Sequence, residues 1–214
     1  MKTLFKTSVG SHMWKQNHPG SDIDLFVAFQ APSREILVGH ADMRSRHDKD
    51  ETHDDAVHEI GHVVDEVLKG NVNFLWGVFS PIVVEDPHGH LAALRPLALK
   101  NMSRQCYNSI HGLAYSNYKK YIESGKDASP KRCNTIARTI GMGVTLLLTG
   151  KIVFNAVRDA KPEDILDLTR HLDEAKDESI LPDKPQHAQE LYDWLLQLRL
   201  KDLEEAEAHG KTEA

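Results

Sequence analysis

Residues 10–27 read GSHMWKQNHPGSDIDLFV. The first four letters match the remnant of a cleaved affinity tag, which would have to be set aside. Nine residues precede them, however, and Leu4, Phe5 and Val9 make that lead a strand candidate over 3–9. The stretch therefore reads as native. Gly10-Ser11 opens a short helix, His18-Pro-Gly-Ser breaks it, and Asp22-Ile-Asp24 runs into an apolar strand over 22–29. On that strand Asp22, Asp24, Phe26 and Ala28 share one face, and Ile23, Leu25, Val27 and Phe29 the other.

The two aspartates lie about 7 Å apart along the strand. Carboxylates that close repel each other unless a cation sits between them. Hard divalent ions take carboxylate oxygens and leave room for phosphate oxygens. Two such ions can clamp the attacking and leaving oxygens of an in-line displacement. Gly10 and Ser11 supply the complementary half, because glycine lets backbone approach a phosphate and the following helix start aims N–H groups at its charge. A bare Asp-x-Asp also suits the plain opening of an edge strand. The order strand, Gly-Ser, short helix, Ser-Asp-x-Asp, apolar strand is far more specific.

That order resembles the signature of the polymerase-β-like nucleotidyltransferase superfamily. One branch of it, found with RNA ligases and tied to RNA repair, is similar along nearly the whole chain. Its later course is matched by KGNVNFLWGVFSP at 69–81, GLAYSNYK at 112–119, Lys131 and Arg138 on one helix, LLTG at 147–150 and SILPDKP at 179–185. One departure is Thr135, where the branch usually carries histidine. Lys131 and Arg138 are seven apart, two helical turns, and project from one side of their helix.

The resemblance implies an α+β fold, with a small mixed sheet flanked by helices and then a helical C-terminal region. It implies transfer of a nucleoside monophosphate from an NTP to a hydroxyl, with pyrophosphate released. Mg²⁺ (or Mn²⁺) would be held by Asp22, Asp24 and a third acid at the start of a short strand that runs into a helix. Asp54 fits that register, sharing a face with Ala56 and His58; Asp55 takes its place if the register slips by one. Gly10, Ser11 and Ser21 would meet the nucleotide phosphates, and Lys119, Lys131 and Arg138 would neutralise their charge. Kinship with RNA repair suggests an RNA 3′ end as acceptor, while other superfamily members modify partner proteins or small molecules.

Composition sets the outer bounds. The 214 residues suffice for a catalytic domain over 1–100, a helical domain over 101–206 and a polar tail, 207–214, expected to fray. Helices are expected near 60–68, 103–122, 130–149, 162–177 and 185–206, with a polar loop at 40–53. The formal net charge of −6 argues against a non-specific nucleic-acid coat but leaves room for a local basic pocket. No apolar run reaches the ~18 residues of a membrane helix, so no membrane partner is expected. Cys106 and Cys133 form no disulfide framework, which points to the cytoplasm.

A rival motif is His58-Glu-Ile-Gly-His62, which matches the HExxH pattern of zinc hydrolases. No third ligand falls at the spacing that would strengthen it. On the helix read here, Glu59 and His62 decorate the exposed side, opposite Ile60, Val63 and Val67. A third reading keeps the fold but not the chemistry, as a module that binds nucleotide or RNA without catalysis.

Overall fold

The alternation around Asp24 is realised in a five-stranded mixed sheet, seen in a computed structural model that describes residues 2–49 and 53–212. The strands are β1 (Lys2–Ser8), β2 (Ile23–Gln30), β3 (Arg46–Lys49), β4 (His53–Glu59) and β5 (Val83–Glu85). They lie in the order β3-β4-β2-β1-β5. β2 is central, antiparallel to β1 and parallel to β4. Its run of apolar residues follows from burial on both faces. Phe26 and Ala28 enter the main core, while Val27 and Phe29 join a smaller one with Ala31 and Val57.

Helices cover the sheet and continue past it. The first five are α1 (Gly10–Met13), α2 (Ser33–Leu37), α3 (Ile60–Leu68), α4 (Val72–Phe79) and α5 (His90–Lys100). The four that follow are α6 (Cys106–Asn117), α7 (Pro130–Thr149), α8 (Asp164–Asp177) and α9 (Ala188–Thr212). α4 sits so close to the sheet that a Cβ on Gly77 would lie 2.3 Å from the Phe26 ring. Gly143 of α7 plays a similar part, touching Ile110 of α6 and Leu172 of α8. α7 is punctuated as its sequence demands: the Ser129 hydroxyl caps Arg132 N–H, Pro130 opens the first turn, and Gly150 stops it at φ +69°. One continuous apolar core runs from Leu4 and Phe5 through Val63, Leu94 and Ile110 to Ile140, Leu172 and Leu191. The change near residue 100 is therefore one of element type within a shared core. Among the described residues no helix is long and apolar enough to cross a membrane.

Several expectations change. The loop at 40–53 contains β3, which pairs antiparallel with β4; residues 50–52 lie outside the described ones. α9 extends to Thr212, through helix-forming Glu-Glu-Ala-Glu-Ala, rather than fraying from 207. β4 continues to Glu59 and α3 starts at Ile60 as expected, so His58 and Glu59 are strand residues and not on the helix that the HExxH reading needs. Glu59 is not on an exposed face: it is fully buried and bonded to Arg199 of α9. The reason is non-local, since pairing with β2 holds this segment extended up to the Phe29–Glu59 pair.

Candidate active site

The turn after β1 and the start of β2 are tied directly, Val9 N–H donating to the Asp24 carbonyl at 2.8 Å. That brings Gly10 against the Asp24 side chain. Gly10 has φ +62°, and a Cβ there would stand 1.8 Å from Asp24 Oδ2. Glycine is thus needed for both its conformation and its missing side chain. Gly10→Ala is expected to cost about 1–2 kcal/mol in backbone strain and to displace the Asp24 carboxylate. Urea unfolding and a nucleotide-binding titration would check it, with affinity falling about tenfold for each 1.4 kcal/mol lost.

A cavity of about 650 Å³ opens beside this turn. One wall comes from Gly10, Ser11, Gln16, His18, Gly20, Ser21, Asp22 and Asp24, and the other from Lys131, Asn134, Thr135 and Arg138 of α7. The α7 set falls at i, i+3, i+4 and i+7, one helical face. The structure thus brings together Gly10, Ser11, Ser21, Asp22, Asp24, Lys131 and Arg138. It adds Gln16, His18, Gly20 and Asn134, of which Asn134 could have been found on the Lys131–Arg138 stripe.

Asp54 is not among the lining residues, but the parallel register sets it directly beside Asp24, with Asp55 beside Leu25 on the opposite face. Paired Cα atoms of adjacent strands lie about 5 Å apart. Asp54 Oδ1 also meets His47 Nδ1 at 3.3 Å. Lys119 is not brought to the cavity: it lies in a π-helical turn, Tyr118–Glu123, with its ammonium turned to Glu123 at 2.9 Å and over the Tyr115 ring.

The cationic wall is built for an anion. Arg138 Nη1 donates to Gln16 Oε1 at 2.7 Å and the guanidinium lies over the Trp14 ring. Its Nε is buried with no acceptor, and among the described residues no carboxylate pairs with it. Burial pulls this guanidinium down to about 10, and it stays charged at neutral pH. Gln16 in turn donates to the Val157 carbonyl, and Asn134 Oδ1 accepts from Ala160 N–H at 2.9 Å. The coil after α7 thereby braces the cavity wall. Lys131 adds a second cation in the first turn of α7, where the positive end of the helix reinforces it and the turn itself carries no acid.

Among the described residues no three carboxylate, imidazole or thiol groups already converge as a metal cluster. The donor chemistry nonetheless fits a hard divalent ion: Asp22 and Asp24 supply oxygens in the cavity, and Asp54 is a strand neighbour of Asp24. Zinc has no such case at the rival motif. His58 packs at a tilt against both Phe26 and Phe74, its Nδ1 meets Ser45 Oγ at 2.8 Å, and His62 lies at the edge of Phe74. Burial, with help from His62 and His47, holds His58 down at about 4. The unfolded ring protonates below about 6.5 while the folded one stays neutral, so stability falls as pH drops from 6.5 to 4. The shift corresponds to about 3 kcal/mol, which residual solvent screening trims to about 2. Urea unfolding at pH 7 and pH 4.5 should show this loss, and His58→Phe should flatten it.

The sequence profile of the RNA repair pathway DNA polymerase beta family matches residues 1–213, and the chain belongs to that family. Among solved structures it is similar to a nucleotidyltransferase-like protein from Exiguobacterium sibiricum 255-15, at 11% identity and a TM-score of 0.32, covering 82% of this chain and 69% of that one. No curated protein matches.

Proposed function

We propose, from that family membership and the two-walled cavity, that this chain transfers a nucleoside monophosphate from an NTP to a hydroxyl, an RNA 3′ end being the acceptor. The observation that carries the reading is charge placement. Asp22 and Asp24 line the same 650 Å³ space as Lys131 and the uncompensated Arg138. That volume suits a nucleotide-sized ligand, and a triphosphate with its metal needs both signs of charge.

Asp22, Asp24 and Asp54 would hold Mg²⁺ or Mn²⁺, which when bound offsets triphosphate charge and lowers the pKa of the attacking hydroxyl. The Gly10-Ser11 turn brings backbone close to the phosphates, with Ser11 and Ser21 hydroxyls as donors. Arg138 makes forked contacts to phosphate oxygens, and Lys131 adds a mobile point charge. Asp54, on the strand next to Asp24, takes the acceptor's proton. The acceptor oxygen bonds the α-phosphorus as the bond to the β-phosphate bridge breaks, and pyrophosphate leaves. Catalysis here is chiefly positioning and electrostatics.

The test is label transfer. The protein is incubated with each α-labelled NTP, Mg²⁺ or Mn²⁺, and a pool of RNA and protein. Label at RNA 3′ ends is the expected result. Label on protein bands alone would keep the transferase and overturn the RNA acceptor. Nucleotide binding with no label on RNA, protein or added small-molecule acceptors would leave a binding module.

A further inference from the structure

The segment that joins α6 to the first turn of α7 concentrates positive charge, of which only Lys131 lines the cavity. Residues 119–132, KKYIESGKDASPKR, hold five cations and two carboxylates in a chain of net charge −6. Its centre is Tyr121. The Arg132 guanidinium lies 3.8 Å from the Tyr121 ring centroid, with the ammonium groups of Lys120 and Lys126 at 5.0 and 5.9 Å. Arg132 is fixed by Asp127, Nε to Oδ2 at 3.1 Å, and Asp127 N–H is tied to the Tyr121 carbonyl at 2.9 Å. The platform is therefore rigid. Among the described residues neither Lys120 nor Lys126 pairs with a carboxylate, so their charge is open to an outside anion. Arg132 directly follows Lys131, which lines the cavity.

We infer that this tyrosine-centred basic platform holds the acceptor strand, as a single-stranded RNA segment just 5′ of the terminal hydroxyl. The inference rests on the transferase reading for its direction. Phosphates favour the cationic rim, whose charge contrasts with the acidic remainder of the chain. An aromatic ring among cations suits unpaired bases, whose faces are free to stack, better than a duplex.

The experiment is fluorescence anisotropy with a 5′-fluorescein RNA of about 12 nucleotides, at several salt concentrations, alongside a titration with ATP and Mg²⁺. Lys120→Glu/Lys126→Glu alters exposed side chains, and thermal unfolding should confirm its fold. This variant should bind RNA at least about tenfold more weakly and flatten the salt slope by about 1.4, or 0.7 per phosphate contact. Tyr121→Ala should lose roughly 5- to 100-fold through stacking. Nucleotide binding should be unchanged in both. Equal RNA binding by wild type and the lysine variant overturns the inference, as does no RNA binding by wild type or a preference for duplex. Loss of label transfer to protein without loss of RNA binding also overturns it and gives the platform to a protein partner. Should wild type fail to bind nucleotide while the RNA effects hold, the platform stands and the transferase reading falls.

Discussion

Asparagine at position 24 is expected to lower nucleotide transfer by about three orders of magnitude or more while leaving the protein folded. Asp24 occupies the crossing point of everything the site requires. Its carbonyl anchors the turn after β1, its Oδ2 fills the space left by the missing Gly10 side chain, and its strand neighbour is Asp54. The amide has the shape of the carboxylate but not its charge, so the backbone anchor survives and the metal-binding power does not. Several kcal/mol of transition-state charge stabilisation depend on the ions such carboxylates hold, and about 4 kcal/mol corresponds to roughly a thousandfold in rate. Stability should move the other way or hardly at all, because one of several crowded negative charges is removed. Initial rates of label transfer and a urea melt on the same preparation separate the two effects. Wild-type rates in Asp24→Asn would remove the carboxylates from the mechanism. A collapse of stability would recast Asp24 as a structural residue.

Much of the cavity's lining is legible in the sequence, and part of the reason is local. The apolar run over 25–29 follows from a strand buried on both faces, and Gly-Ser before a short helix is turn chemistry that short-range sterics decide. The family resemblance pointed to Lys131 and Arg138, and helical periodicity put them on one side of α7. The resemblance implied Asp54, with Asp55 as the alternative; the pairing of β4 with β2, which no local pattern announces, sets Asp54 beside Asp24. Lys119 lies away from the cavity, in the π-helical turn at Tyr118–Glu123, a departure that residue propensity does not announce.

The elements that escaped are those defined by neighbours. β3 and β5 are four- and three-residue strands with no alternating signal of their own, and they exist through pairing with β4 and β1. The segment VNFLWGVF is apolar all round, so periodicity could not separate a buried helix from a strand. Its Asn71 cap, which accepts from Asn73 N–H, was the available hint. HEIGH misled for a related reason. Three matching letters imported a helix to His58, although the helical pattern proper begins at Ile60.

Glu59, the middle acid of that motif, carries the largest expected effect on stability. Its carboxylate is fully buried and accepts from Arg199 Nη2 at 2.5 Å, Gly61 N–H at 2.6 Å and Ala31 N–H at 3.3 Å. It thus caps α3, ends β4 and fastens α9 to the strand that carries Asp54. Arg199 Nη1 adds a bond to the Ala31 carbonyl, and Gln30 reaches the Leu198 carbonyl beside it. Glu59→Ala would leave a half-buried guanidinium unpaired and two backbone donors without acceptors. Breaking a buried pair from one side costs about 3–5 kcal/mol, and a lost cap about 1. Against a total stability of roughly 5–15 kcal/mol, that leaves a marginal fold. Urea unfolding should show a midpoint shift of this size, and limited proteolysis should cut α9 first, since its charged tie to the sheet is removed. Arg199→Met in a Glu59→Leu background should recover much of the loss, because an apolar pair leaves no buried charge unmet. An unchanged midpoint in Glu59→Ala would mean that the pair contributes nothing and that apolar packing of Leu191 and Leu198, with the Gln30–Leu198 bond, seats α9.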